Sequence, residues 1–182
     1  MISYYKDFEV IVFDDQTYAI NSTDNSTNYK QSYCENIGDL NKHGIKINKD
    51  GIEISSAIIC ENGGGSTIHE KSYILKDNSI FICCGSKIYS LNIPLLTLNW
   101  RKELDSATCF GIYEFEGDLL IHGELEISRL TKEGLVKWKF SGRDIFVSMT
   151  GNKEFEIVGD KIKLFDFDNF EYLLDANGNE IK

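Results

Sequence analysis

One unit is repeated three times in the second half of the chain. Its clearest copy begins at Asp118, where apolar and polar residues alternate, a glycine interrupts the run, and a second alternating stretch follows. SIFICCGSKIYSLN, from Ser79, and EFEIVGDKIKLFDF, from Glu154, have the same order of features. Alternation with a period of two is typical of half-buried β-strands. The repeat is the strongest constraint on the fold, because each copy has to form a similar small sheet.

One further strand is predicted on each side of every copy. The preceding strands are predicted at 72–75, 110–115 and 145–149. The following strands carry Trp100, Trp138 and Tyr172 at nearly matching places. Four strands in about forty residues is the size of one β-propeller blade. Helix should be nearly absent, and we expect Trp100, Trp138, Phe110 and Phe146 to lie in the core.

These units resemble β-propeller blades of the quinoprotein or WD type, in which a Trp lies near the end of a late strand. Gly134 to Trp138 approximates the Gly-x-Trp pattern of quinoprotein blades, whereas the Trp-Asp dipeptide is absent. The run from Ala107 to Leu130 also resembles a group of uncharacterised bacterial proteins, and that resemblance implies no activity. The blade resemblance implies an all-β fold of antiparallel, blade-like repeats, with a β-sandwich as the alternative.

A single domain of 182 residues is predicted, with three blade-like repeats in 71–182 and an irregular N-terminal β unit in 1–70. Within that unit, Asp50-Gly51 indicates a hairpin that leads into a strand at 52–60. A short helix is predicted around Gln31 to Leu40. Since a closed propeller needs at least four blades, either the N-terminal unit supplies a fourth blade or the stack of sheets is open.

The charge of the chain restricts its partners. With 29 acidic and 19 basic residues the net charge is −10, which argues against nucleic acid and anionic membrane surfaces as partners. A basic protein partner suits this charge. No stretch approaches eighteen apolar residues, so no membrane span is predicted. The five cysteines follow no CxxC spacing, and we predict that all are free, in a cytoplasmic protein.

Two histidines and several carboxylates are the candidates for binding or chemistry. His122, Glu124 and Glu126 occupy alternate positions, so their side chains could share one face and bind a divalent metal or share a proton. His69 and Glu70 could supply a further arm of such a site. The alternative is an ordinary row of polar side chains that faces solvent.

Other motifs allow a structural explanation beside a functional one. The glycine run 61–67 could point backbone N–H groups at an anion, or it could be a plain connection. Cys109 could be a thiol nucleophile or a small core residue. The Cys83-Cys84 pair resembles the vicinal disulfide of some quinoprotein dehydrogenases, but no calcium-binding cluster accompanies it.

Two functions therefore stay open. The first is a binding protein, for example an acidic immunity-type partner of a basic toxin domain, with no cofactor. Arg143 and Asp144, which follow Ser141-Gly142 at a predicted blade corner, belong to its expected surface together with the histidines and glutamates named above. The second is a metal-assisted hydrolase that uses His122, Glu124 and His69.

Overall fold

The computed structural model describes residues 1–34, 40–148 and 153–181, and in these residues it contains sixteen β-strands and no helix. The strands are β1 (Ile2–Tyr5), β2 (Phe8–Asp14), β3 (Gln31–Cys34), β4 (Asn41–Lys49), β5 (Ile52–Glu61), β6 (Tyr73–Lys76), β7 (Ser79–Cys84), β8 (Lys87–Asn92), β9 (Leu98–Glu103), β10 (Cys109–Phe115), β11 (Asp118–Gly123), β12 (Glu126–Leu130), β13 (Val136–Ser141), β14 (Phe155–Val158), β15 (Lys161–Phe165) and β16 (Glu171–Leu174). No helix in the described ranges is long and apolar enough to span a membrane.

Four sheets follow one another along the chain. The first has the order β1-β2-β4-β5-β3, and the second and third are the antiparallel meanders β6-β7-β8-β9 and β10-β11-β12-β13. The fourth has only three strands, in the order β14-β15-β16. The predicted all-β fold of small blade-like sheets is therefore confirmed. Only the first sheet departs from antiparallel pairing, because β3 runs parallel to β5.

Three hydrophobic clusters join the sheets in sequence. The first cluster lies between the first and second sheets and includes Ile59 and Tyr89, and the next joins the second sheet to the third around Phe81. The last joins the third sheet to the fourth around Phe146 and Phe155. No cluster of described residues joins the fourth sheet back to the first. The N-terminal residues thus add one sheet to the three repeats, and the stack of four sheets is nevertheless open in the described residues.

The tryptophans of the first two repeats each contact a turn of the next repeat. Trp100 donates its indole N–H to the carbonyl of Lys132 at 2.8 Å, and Trp138 donates to Ala176 at 3.0 Å. Both rings lie against a glycine of that turn, Gly134 for Trp100 and Gly178 for Trp138. Both tryptophans and Phe110 are half-buried at the margin of the core, and only Phe146 is fully buried as predicted.

Two predicted elements are not formed as expected. Gln31–Cys34, the start of the predicted helix, is strand β3, which pairs with β5, and 35–39 lie outside the described residues. The strand predicted at 145–149 is absent from residues 145–148, and Met149 is outside the described part. Phe146 is buried there instead, and its N–H donates to the carbonyl of Glu124 at 2.7 Å.

The prediction of five free cysteines is wrong. Cys34 and Cys60 form a disulfide, because the parallel pairing of β3 with β5 places them opposite each other with their Cα atoms 4.6 Å apart. Cys83, Cys84 and Cys109 are free and buried. Cys83 and Cys84 point into different core clusters, as the alternation of a strand requires.

Candidate functional site

A cleft lies beside the third and fourth sheets, where both predicted histidines and one predicted glutamate meet. It consists of two adjoining cavities of about 340 and 380 Å³. The cavities share Lys71, Tyr113, His122 and Glu154. The remaining lining residues are His69, Glu70, Phe110, Gly111, Phe146, Val147, Lys153, Phe155, Glu156 and Ile157. We call this region the blade cleft.

The walls of the blade cleft are aromatic. The His122 ring stacks on Phe155, with centroids 5.3 Å apart, and meets the edge of Phe110 at 5.5 Å. Tyr113 packs on the other side of this group, 4.4 Å from Phe155 between centroids. The Lys71 ammonium lies 5.8 Å from the Tyr113 ring, within the range of a cation–π contact. Strands β10 and β11 therefore present a rigid, mostly apolar wall to the cleft.

His122 is buried rather than part of a solvent-facing row, with only 7% of its surface exposed. Its Nε2 lies 3.1 Å from the carbonyl oxygen of Phe146, so this nitrogen must carry the hydrogen. Burial lowers the pKa of His122 below its ordinary value, against the opposing effect of that hydrogen bond. The ring is therefore neutral near pH 7, with its lone pair on Nδ1.

His69 is exposed, but both of its ring nitrogens are occupied. Nε2 donates to the carbonyl of Phe110 at 2.9 Å, and Nδ1 accepts the backbone N–H of Lys71 at 3.2 Å. This arrangement fixes the tautomer and leaves no nitrogen lone pair for a metal ion. His69 anchors the connection before β6 to the edge of β10.

The predicted metal site is not assembled. Within 1–34, 40–148 and 153–181, no group of three or more His, Cys, Asp or Glu side chains is arranged to hold a metal ion. Glu126 instead pairs with Lys139. Glu124 lies near Gly64 and Thr108, outside the blade cleft, so the two glutamates do not join His122. The hydrolase alternative therefore has no ligand set in the described residues.

The blade corner at Arg143 and Asp144 lies next to the fourth sheet. The Arg143 guanidinium is 3.8 Å from the centroid of the Phe170 ring, and its backbone N–H donates to the Tyr172 hydroxyl at 2.9 Å. Asp144 is exposed and accepts the N–H of Ile145. Arg143 thus stabilises the join between the sheets, whereas the Asp144 carboxylate is presented to solvent.

Asp14, His43 and Ser66 form a constellation that no spacing in the sequence indicates. His43 Nε2 lies 3.0 Å from Ser66 Oγ, and Asp14 Oδ1 lies 2.8 Å from His43 Nδ1. The order resembles the triad of serine hydrolases. However, the Ser66 hydroxyl donates to Asn41 at 2.9 Å, and the His43 Nδ1 contact is not aligned as a hydrogen bond. The group is a partly buried polar network rather than an activated nucleophile.

The same network explains the glycine run. The Ser66 N–H donates to Asn41 Oδ1 at 2.6 Å, and Gly64 N–H donates to the carbonyl of Ala107 at 3.0 Å. Gly85 N–H in turn donates to Ser66 Oγ at 3.0 Å. Because the backbone N–H groups of Gly64 and Ser66 donate to acceptors inside the protein, the run is a connection between sheets and not an anion loop.

The Cys109 thiol is a core group. It is fully buried, and burial, together with the charge of Asp105, raises the pKa of Cys109 well above its usual range. Asp105 also does not orient a histidine, because its Oδ2 accepts the N–H groups of Leu125 and Glu126. That carboxylate occupies the space that a side chain at Gly123 would need. A glycine therefore interrupts the alternating pattern at position 123 because the Asp105 carboxylate leaves no room for a side chain there.

Comparison with known proteins gives a fold and no family. No protein family model matches the sequence, and no curated protein matches it. BamB from Moraxella catarrhalis matches in structure with a TM-score of 0.54 and 10% identity over 80% of this chain. The fold is that of part of a β-propeller. The chain spans 45% of the length of that BamB chain.

The WD40 β-propeller domain of Doa1 also matches, with a TM-score of 0.48 and 16% identity. That match covers 71% of this chain and 43% of the Doa1 domain. The match to BamB confirms, at the level of fold, the blade resemblance seen in the sequence. At 10% identity it shows the architecture and carries no activity to this chain.

Proposed function

We propose that the protein binds another protein, one with a basic surface, at the blade cleft and its acidic rim, without turnover. The observation that carries this proposal is the composition of the blade cleft. It has aromatic walls, and Glu70, Glu154 and Glu156 outnumber Lys71 and Lys153 at its margin. Rigid aromatic surfaces with charged rims suit recognition of a macromolecule.

The state of the histidines supports binding over catalysis. His69 uses both ring nitrogens for the backbone, and His122 holds the connection at Phe146. A general base needs a lone pair near a substrate and a group that orients the ring from the other side. His122 retains the lone pair on Nδ1 and the Phe146 carbonyl orients its ring, but within the described residues no metal-ligating group assembles around it.

The net charge supports a basic partner. An excess of ten negative charges speeds encounter with a cationic surface and disfavours nucleic acid and anionic lipid. An immunity-type pairing, in which an acidic protein covers a basic toxin domain, fits this chemistry. A cytoplasmic site of action belongs to the same proposal.

The test compares two doubly charge-reversed variants in partner capture from extracts of the native cell. Glu70→Lys with Glu156→Lys changes the rim, and Asp7→Lys with Asp24→Lys makes the same change of charge in two exposed loops of the N-terminal unit. We expect the rim variant alone to lose a basic protein that the wild type retains, with weaker capture at high salt. Equal capture by both variants would reject the site.

Metal binding is the result that would favour an enzyme instead. If calorimetric titration with zinc or manganese found one equivalent bound, and His122→Ala abolished it, the hydrolase alternative would replace the binding proposal. We expect no such equivalent for the wild-type protein, because the described acidic side chains do not converge on His122.

A further inference from the structure

In the part of the chain that the structure describes, the fourth sheet has no counterpart of β6 and β10, the first strands of the second and third sheets. In those sheets β7 and β11 each pair on both sides, and β6 and β10 are the partners that precede them in the chain. The repeat in the sequence makes β14 the counterpart of β7 and β11, yet β14 pairs only with β15. Within the described residues, one edge of β14 is therefore unpaired, and the blade cleft lies along it.

The open edge can be assigned to two residues. Phe165 N–H donates to the carbonyl of Glu154 at 3.0 Å, which makes this a hydrogen-bonded pair of the antiparallel ladder. Because bonding alternates along such a ladder, Glu156 and Val158 also face β15, and Phe155 and Ile157 direct their N–H and C=O groups away from it. Among the described residues, nothing pairs with these groups on the cleft side.

We propose that an extended segment of the partner protein adds to β14 as the fourth strand of this sheet, antiparallel to it and inside the blade cleft. This proposal rests on the proposed function and names the mode of binding. Strand addition supplies backbone hydrogen bonds from the open edge, and side chains at alternate positions supply specificity.

Strands β6 and β10, which occupy the equivalent position in the second and third sheets, indicate the chemistry of the incoming segment. β6 has the sequence YILK and β10 the sequence CFGIYEF, so both are short and rich in apolar and aromatic residues. β6 ends in Lys76, which pairs with Glu114 of β10. The incoming strand should therefore present apolar side chains to Tyr113 and Phe155, with a lysine or arginine at its end for the acidic rim. A second copy of this chain suits the site less well, because two molecules of charge −10 repel each other.

The test uses the synthetic peptide KSYILKK, in which residues 72–76 are flanked by lysines. We expect it to bind the wild-type protein and to protect the amides of Phe155 and Ile157 from hydrogen exchange. Ile157→Pro removes one outward N–H without removing a bond to β15, and should weaken binding by about tenfold. Ile157→Val, the matched control, should bind the peptide as the wild type does.

Two results would overturn strand addition, namely unchanged peptide binding by Ile157→Pro and equal binding of the proline-containing peptide KSPIPKK. Self-association of the protein that Ile157→Pro abolishes would overturn the partner protein as the source of the added strand. Circular dichroism of Ile157→Pro checks that the sheet is intact. If rim charge reversal blocks partner capture while Ile157→Pro does not, the strand mode fails and the binding function stands. If neither variant affects capture, both fail.

Discussion

His122 links the stability of the protein to pH. Burial lowers its pKa in the folded state, whereas the unfolded chain has the ordinary histidine pKa of about 6.5. As pH falls below about 6.5, the unfolded state gains a proton that the folded state does not take up. The contribution of neutral, buried His122 is therefore complete above that pH and is lost as the pH falls towards the folded pKa.

We predict that the free energy of unfolding decreases as the pH is lowered from about 7 to about 5.5. His122→Gln, which keeps an N–H donor for Phe146, should flatten this part of the profile. Urea unfolding at several pH values measures both proteins. A profile of equal slope in the variant would show that another group is responsible.

The free thiols give a second prediction for single residues. Titration with a thiol reagent in denaturant without reductant should count three, from Cys83, Cys84 and Cys109. The same titration after reduction should count five. A count of five before reduction would contradict the Cys34–Cys60 bond. Since one pair is bonded, the cysteines no longer support the cytoplasmic location, which stays a prediction.

At the scale of elements, the recurring contact between a tryptophan and a glycine turn connects neighbouring repeats. Gly134 has φ +84°, and a Cβ there would lie 2.9 Å from the Trp100 ring. Gly117 has nearly the same conformation, φ +83°, with nothing within 4 Å of the Cβ position. The two glycines therefore share a backbone conformation that would strain any other residue, and only Gly134 contacts a tryptophan ring.

Gly117→Ala should cost about 1 kcal/mol of stability, because a left-handed conformation is unfavourable for alanine. Gly134→Ala should cost about 1–3 kcal/mol more, because it also displaces the Trp100 ring. Chemical denaturation of both variants measures the difference. Equal losses would mean that the Trp100 contact does not stabilise the junction.

Local sequence patterns predict some of the strands, whereas the other strands depend on contacts between residues distant in the sequence. The strands β7, β8, β11, β12, β14 and β15 follow from alternation, which depends on each segment alone. The parallel pairing of β3 with β5 depends on residues 26 positions apart, and no local pattern indicates it. Phe146 lies in an alternating stretch that resembles a strand, yet its burial and its bond to Glu124 hold the chain out of the sheet.

The candidate site is predicted only in part for the same reason. Residue type alone points to His69, Glu70 and His122, and the structure brings all three to the blade cleft. Grouping them with Glu124 and Glu126 requires one continuous strand face. Asp105 binds the turn between β11 and β12 and separates that face into two. Tyr113 and Phe155, the main walls of the cleft, alternate like any core residue and carry no separate signal.

At the scale of the whole molecule, the described residues form four sheets in an open stack, and the fourth sheet has one strand fewer beside the aromatic wall of the blade cleft. An unpaired strand edge is exposed to pairing with another chain, and proteins usually cover it or charge it. Glu156 and Lys153 provide charge near this edge. The binding proposal depends on the edge being open in the free protein.

Hydrogen exchange of individual backbone amides in the free protein tests this claim most directly. The structure predicts slow exchange for Glu156 and Val158, whose amides face β15, and fast exchange for Phe155 and Ile157, whose amides face the blade cleft. The alternation should be visible by nuclear magnetic resonance within a single strand, so differences in overall stability cannot produce it. Slow exchange at all four amides would show that the edge is already paired and would contradict the account.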